Sequence, residues 1–218
     1  MQIAIDGPAG AGKSTVARMI ADKLGFIYID TGAMYRALTW KALARKIDLQ
    51  DEEKLYELAC NTDIYFTKRA DKQNVICDDI DISDEIRSPL ISTNVSIVAA
   101  QPRVRIVMVK KQQDMARMND VVMDGRDIGE QVLPDADFKF YVTASIEERA
   151  RRRIQEMKKQ GFASDEQNVR QQIENRDRMD QERELGALKI LDDAIVIDTS
   201  SLSIDEVLNR MLAIIGEI

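Results

Sequence analysis

The segment IAIDGPAGAGKSTVARMIADKLG, residues 3–25, constrains this chain more than any other stretch. IAID reads as a strand. GPAGAGKS, from Gly7 to Ser14, matches the pattern G-x-x-x-x-G-K-[ST]. Val16, Met19, Ile20 and Leu24 then keep helical spacing, and Gly25 is a suitable helix stop. A chain that wraps a phosphate must point successive N–H groups inward. That needs conformations glycine adopts cheaply and leaves no room for side chains. The helix behind the loop adds further amides and a positive dipole end. Gly7, Pro8, Ala9, Gly10, Ala11, Gly12, Lys13, Ser14 and Thr15 are therefore the expected cradle for nucleotide phosphates. Lys13 reaches the β- and γ-phosphates, and Ser14 is the expected Mg²⁺ ligand. The strand–loop–helix setting separates this match from a chance glycine turn.

The rest of the chain extends the same architecture. Five short apolar runs read as buried parallel strands: IAID (3–6), FIYID (26–30), VVMD (121–124), FKFYVTA (138–144) and AIVID (194–198). Four of them end in aspartate, and helical patterns separate most of them. At the C-terminal side, Ser203 and Glu206 form an expected capping box before Ile204, Val207, Leu208, Met211 and Leu212. Strand–helix alternation predicts an α/β layer fold with a parallel sheet. Residues 63–82 break the pattern. DIYFTKR, QNVICDD and IDIS alternate polar and apolar, with a turn at ADKQN, which predicts a small antiparallel insert. Residues 145–184 are highly charged and helical by composition, broken at GFAS (161–164), where Ser164 and Gln167 can cap a second helix. They read either as solvated helices laced with ion pairs or as a lid whose arginines turn toward phosphate.

Composition narrows the chemistry. The 218 residues suit one domain with insertions, and a net charge of −7 argues against nonspecific binding to nucleic acid or anionic membrane. No apolar run approaches the ~18 residues of a membrane span. The start shows no signal-peptide pattern. Cys60 and Cys77 read as two buried free thiols in a reducing compartment, so a cytoplasmic location is expected. Histidine is absent, which rules out Ser-His-Asp and Cys-His mechanisms and a His-ligated zinc. Phosphoryl transfer fits what remains, because it relies on positioning and charge stabilisation.

A guanine-reading N/T-K-x-D motif is not found: in TKRA (67–70), Ala70 stands where aspartate is needed. VVMD is followed by Gly125-Arg126-Asp127 rather than by glutamate, yet Asp124 at the strand end can still steer Mg²⁺ through water. Many arginines suggest a small kinase with two phosphorylated substrates, because guanidinium forks pair bidentately with phosphate. Candidates are Arg36, Arg103, Arg105 and Arg126, with Arg176, Asp180 and Arg183 spaced on one helical face. That last trio reads equally as a surface ion-pair ladder.

Taken in order, IDGPAGAGKST (5–15), DTGAMYR (30–36), SIVAAQPRVR (96–105), DGRDIG (124–129), ASIEERARRR (144–153), RDRMDQER (176–183) and IDTSSLSIDEV (197–207) make the chain resemble the bacterial cytidylate kinases, a branch of the nucleoside monophosphate kinases. The resemblance spans essentially the whole length. It implies transfer of the ATP γ-phosphoryl group to CMP or dCMP with Mg²⁺; a domain of this size with a moving lid is expected to work as a monomer. The resemblance implies a P-loop NTPase core with a five-stranded parallel sheet (1–62, 96–144 and 185–218). An antiparallel insert (63–95) would lie on the monophosphate side, with a helical lid and arginine-rich helix at 145–184. By the same resemblance Thr31, Ser96, Arg105 and Asp127 are pyrimidine-side residues, with Arg105 and Asp127 at the cytosine edge. Asp180 and Arg176 contact ribose. Arg36, Arg126 and Arg183 contact phosphate, and adenine lies against Arg151 and the TSSLS loop. Lys13, Arg126, Arg183 and Arg151 are the implied catalytic set. One departure is visible: where such kinases read A-P-L after the arginine-rich helix, this chain has LGALKIL (185–191), without proline. A shikimate- or gluconate-type kinase and a non-enzymatic nucleotide switch are the rival readings.

Overall fold

The computed structural model describes residues 1–69, 72–159, 161 and 165–216. In chain order the elements are β1 (Gln2–Asp6), α1 (Lys13–Leu24), β2 (Ile27–Asp30), α2 (Thr31–Ala44), α3 (Glu52–Cys60), β3 (Ile64–Arg69), β4 (Lys72–Cys77), β5 (Ile80–Asp81), α4 (Pro89–Ala100), α5 (Pro102–Ala116), β6 (Val121–Gly125), β7 (Phe138–Thr143), α6 (Ile146–Lys159), α7 (Glu166–Gln181), β8 (Ile195–Asp198) and α8 (Ile204–Gly216). A tight π-type turn, Ile128–Val132, follows β6. The five apolar runs become one sheet in the order β2-β6-β1-β7-β8, and the insert becomes a second sheet in the order β3-β4-β5.

Internal contacts divide the chain into two compact units, Met1–Tyr28 with Met118–Ile218, and Ile29–Arg117. In the first, β1 runs parallel to both β6 and β7. The register pairs Ile5 with Asp124 and Asp6 with both Gly125 and Tyr141. The carboxyl ends of these strands are thereby level, which is where open α/β sheets place ligands. Ile3, Ile5, Val122, Phe140 and Val142 form the buried layer, covered by Val16 and Ile20 of α1 and by Val207 and Met211 of α8. Helix α8 starts with the expected capping box: Ser203 N–H donates to Glu206 at 2.8 Å, and Glu206 N–H donates to Ser203 Oγ at 3.3 Å. Gly25 ends α1 in a left-handed conformation, its N–H on Ala21 O.

The second unit holds α2 to α5 and the antiparallel sheet. Lys41 of α2, buried, pairs with Asp78 at 2.5 Å and donates to Thr62 Oγ1 at 2.8 Å, which ties the insert to α2. The expected ADKQN turn includes Ala70 and Asp71, and the expected cap Ser164 belongs to GFAS; these residues lie outside the described ones. Helix α7 is capped by Asp165, whose carboxylate accepts Asn168 N–H at 2.8 Å. One thiol expectation is corrected. Cys77 is buried, but Cys60 at the end of α3 is exposed, because the buried face of that helix is Leu55, Leu58 and Ala59.

Candidate active site

The glycine loop leaves β1 where its neighbours also end. A Cβ on Gly7 would stand 2.0 Å from Val142 O, so the loop can start only with glycine. Gly12 caps α1 at φ 92°, a conformation that favours glycine, and no described side chain caps that helix. α2, α3, α4 and α7 instead start under an aspartate or serine side chain. Lys13 folds back over the loop and donates to Pro8 O at 2.8 Å. Burial lowers its pKa, as does Arg126 nearby, against the opposing pull of Asp124. A buried ammonium of this kind gains most when an anion replaces the lost water.

Ser14 Oγ donates to Asp124 Oδ2 at 2.8 Å, and Tyr28 OH donates to Asp124 Oδ1 at 2.7 Å. The sequence pointed to Ser14 and Asp124 separately. Their pairing comes from the register of β6 beside β1, and the tyrosine that orients the carboxylate comes from β2, the neighbour of β6 on its other side.

The expected lid arginines divide. Helices α6 and α7 pack through Ala150, Ile154, Val169 and Ile173. On the face that turns inward, buried Arg149 pairs with Asp177 at 2.7 Å and donates to Ala144 O at 3.0 Å and to Ala9 O of the glycine loop at 3.3 Å. Arg152 donates to Ala11 O of the same loop at 3.3 Å and to Thr199 O at 2.7 Å. Arg151 instead lies on the exposed face and pairs with Glu148 at 2.6 Å. Hydrogen bonds from Arg151, and then from Arg152, hold the Glu148 carboxyl down at about 2 against its burial. Arg149 and Arg152 are thus the arginines of α6 in contact with the loop.

Asp180 is fully buried on α7, with Arg126 Nε at 2.6 Å and Arg183 on its other oxygen. Burial pushes its carboxyl up, but Arg126, Arg183 and Arg176 together outweigh that and hold it at about 2. Asp180 in turn raises the Arg126 guanidinium pKa against the lowering effect of burial. The surface-ladder reading of Arg176, Asp180 and Arg183 therefore fails: the side chains of Asp180 and Arg183 are about as buried as the core, and Arg126 joins them from the end of β6. The proline-free loop closes over the same helix, with Gly186 at φ 67° and Leu188 N–H on Asp180 O at 2.8 Å.

Asp127 follows Arg126 and is buried. The segment after it is held by Asp6, which the sequence marked only as a strand-ending aspartate. Asp6 Oδ1 accepts Ile128 N–H and Oδ2 accepts Gly129 N–H, both at 2.9 Å. Burial pushes the Asp6 carboxyl up to about 6, against the lowering effect of those two amides. Between its unfolded value of 3.8 and about 6 the native state binds the extra proton, so stability falls as pH rises through that window, by about 3 kcal/mol.

Among the residues of the second unit, Thr31 opens α2 under the Asp30 cap, whose carboxylate accepts Ala33 N–H at 2.8 Å. Arg36, one turn on, lies 3.9 Å from Asp30. Ser96 is buried on α4, and α4 packs against α2 and α5. Arg105 of α5 is 1% exposed, donates to Ala99 O at 2.9 Å and lies over the Tyr35 ring at 5.4 Å. Arg103 goes elsewhere. It pairs with Glu53 and stacks on Tyr56 at 4.1 Å, bracing α5 against α3.

A lysine-bearing glycine loop, a hydroxyl–carboxylate pair at its foot and a buried arginine–carboxylate cluster make a phosphate-handling site. The sequence model of the cytidylate kinase family matches residues 3–217. The chain belongs to the cytidylate kinase family. It is accordingly an enzyme of the nucleoside monophosphate kinase class, built on a P-loop nucleotide-binding fold. Cytidylate kinases from Bacillus cereus strain G9842 and Bacillus thuringiensis strain Al Hakam are each 49% identical to it over 216 residues, 99% of this chain and 96% of theirs. In fold the chain is similar to an uncharacterized protein from Eubacterium ventriosum (TM-score 0.53, 15% identity, 100% of this chain and 99% of that one). It is also similar to a shikimate kinase from Bacteroides thetaiotaomicron (TM-score 0.51, 12% identity, 99% and 98%). At these identities the two structures speak for the fold alone. No described helix is long and apolar enough to cross a membrane.

Proposed function

We propose that this family member transfers the γ-phosphoryl group of ATP to CMP or dCMP in one direct in-line step, giving CDP or dCDP. The observation that carries the reading is the burial of Asp180 among Arg126, Arg183 and Arg176, within the same unit as the glycine loop and Lys13. A set of guanidinium groups held in place before substrate arrives needs little reorganisation to meet an acceptor phosphate.

Lys13 and the loop amides hold the β- and γ-phosphates. Arg126 and Arg183 bind the acceptor phosphate, with Arg36 as a further phosphate contact and Asp180 and Arg176 on the ribose. No general base is required, because the acceptor phosphate is already an anionic nucleophile. Arg149 and Arg152 fix the lid helices to the loop carbonyls, and exclusion of water there strengthens each charged contact. The adenine lies against Arg151 and near the TSSLS segment. Ser14 and Asp124 are hard oxygen donors of the kind Mg²⁺ uses alongside water and substrate phosphates. Among the described residues no cluster of three or more acidic or cysteine side chains forms a separate metal cage. Bound there, Mg²⁺ would neutralise phosphate charge.

Base choice falls to Thr31, Ser96, Arg105 and Asp127. Cytosine offers an amine donor at N4 and acceptors at N3 and O2. A carboxylate accepts from the first, and a guanidinium donates to the others. Uracil reverses the upper part of the pattern and leaves the carboxylate unpaired, which hydrogen-bonding sites penalise heavily. The enzyme is expected to act as a monomer. A coupled ADP-release assay with CMP, dCMP, UMP, AMP and shikimate tests the reading: CMP and dCMP should be the preferred acceptors, and turnover confined to shikimate or AMP would overturn it.

A further inference from the structure

We propose that Asp6 is a positioning residue for the acceptor side: by accepting two consecutive backbone N–H groups it fixes the turn that presents Arg126 and Asp127. The proposal rests on the roles given above to those two residues.

The geometry is that of a clamp. Each oxygen of one carboxylate takes one amide, Ile128 on Oδ1 and Gly129 on Oδ2, both at 2.9 Å and both buried. Neither a hydroxyl nor a carboxamide can accept from both at once in that forked geometry. Both ends of the clamp are anchored. Asp6 ends β1, paired on either side with Gly125 and Tyr141, and the residue after it is Gly7, pressed against Val142 O. On the other side, the turn packs closely under two side chains: a Cβ on Gly129 would meet Lys139 Cδ at 3.1 Å and Leu191 Cδ1 at 3.2 Å. The turn continues through Gln131 N–H on Asp127 O at 2.8 Å and Leu133 N–H on Ile128 O at 2.7 Å. Arg126 and Asp127 are the two residues immediately before the clamped amides, so the direction of their side chains is set there.

A purely structural role fits poorly with the charge. Asp6 is buried, and burial resists its carboxylate form; Asp127 adds to that resistance and Lys13 opposes it. An apolar or neutral residue at the strand end would avoid that cost but leave at least one of the two buried amides unpaired. Natural sequences keep such burdens where activity needs them. The position also places one side chain between the donor loop and the acceptor turn: Asp6 leads directly into Gly7 and holds the residues after Asp127.

The test uses the full chain with Asp6→Asn, which keeps the shape but can accept only one of the two amides. The KM for CMP should rise about tenfold and the CMP-over-UMP preference should fall about tenfold, as for loss of one buried charge-assisted hydrogen bond. The KM for ATP should stay within about twofold. If Asp6→Asn does not fold, Asp6→Glu, which keeps the charge and displaces it by one methylene, carries the same comparison. An unchanged CMP KM and preference beside a lowered melting temperature would reduce Asp6 to a structural residue and overturn the proposal. Equal rises for CMP and ATP would overturn it as well, by placing the effect on the glycine loop. The wild-type control keeps the two readings apart. Lack of a CMP preference in the wild type would sink the functional reading alone, and the split between acceptor and ATP KM in the variant would still decide Asp6.

Discussion

Replacing Asp180 by Asn removes a buried negative charge from among three guanidinium groups. Asp180 is fully buried, with Arg126 at 2.6 Å, Arg183 on its second oxygen and Arg176 within its field. Burial acts to raise its carboxyl, and the arginines bring it to about 2 against an unfolded value of 3.8. That difference amounts to about 2.5 kcal/mol of stability at neutral pH. Buried cations left without their partner bring the expected loss for Asp180→Asn to about 3–5 kcal/mol. The sign follows from the depressed folded value: the contribution is fully present above about pH 4 and is lost as pH falls through 2. Urea denaturation of wild type and variant at pH 7, 4 and 2.5 reads this directly. The gap in unfolding free energy should be largest at pH 7 and shrink by roughly 2 kcal/mol at the acid end. Equal stabilities at pH 7, or a gap of constant size at all three pH values, would refute the charge-cluster reasoning.

Three further substitutions probe separate parts of the site. Lys13→Met should lower kcat by roughly 100-fold or more while the melting temperature holds or rises, since a desolvated ammonium is removed; substantial turnover in a well-folded variant would dismiss its role. Asp127→Ala should narrow the gap between CMP and UMP in kcat/KM, and an unchanged ratio would take Asp127 out of base reading. Arg103→Ala should leave the CMP KM unaltered and move the melting temperature little, because Arg103 braces Glu53 and Tyr56 through an exposed ion pair; a tenfold rise in CMP KM would return it to the phosphate contacts.

The sheet was legible because its strands are short apolar runs, four of them ending in aspartate, and all five appear within a residue or so of their expected limits. The antiparallel insert was legible from its alternation and spacing. The glycine loop carries its geometry in its own residue types, so Gly7 and Gly12 could be read in advance. Pairing across the sheet could not. Asp6 on Ile128 and Gly129, and Tyr28 on Asp124, join residues about a hundred positions apart, and their partners follow from the strand order and the path of the turn after β6. The arginine run 149–153 shows the same limit within one helix. Every member has the right chemistry, and the rotation that buries Ala150 and Ile154 against Val169 and Ile173 decides which guanidinium groups turn to the loop. Cys60 was misread because cysteine favours the interior, whereas the last turn of α3 leaves it on the exposed side.

Phosphorus NMR of ATP, Mg²⁺ and CMP mixed with the enzyme tests most directly whether a phosphoryl group passes from one nucleotide to the other. The β-phosphate doublet of CDP should grow in equal amount with ADP, with no inorganic phosphate released. Phosphate accumulating without CDP, or ATP left intact until a non-nucleotide acceptor is supplied, would contradict the account.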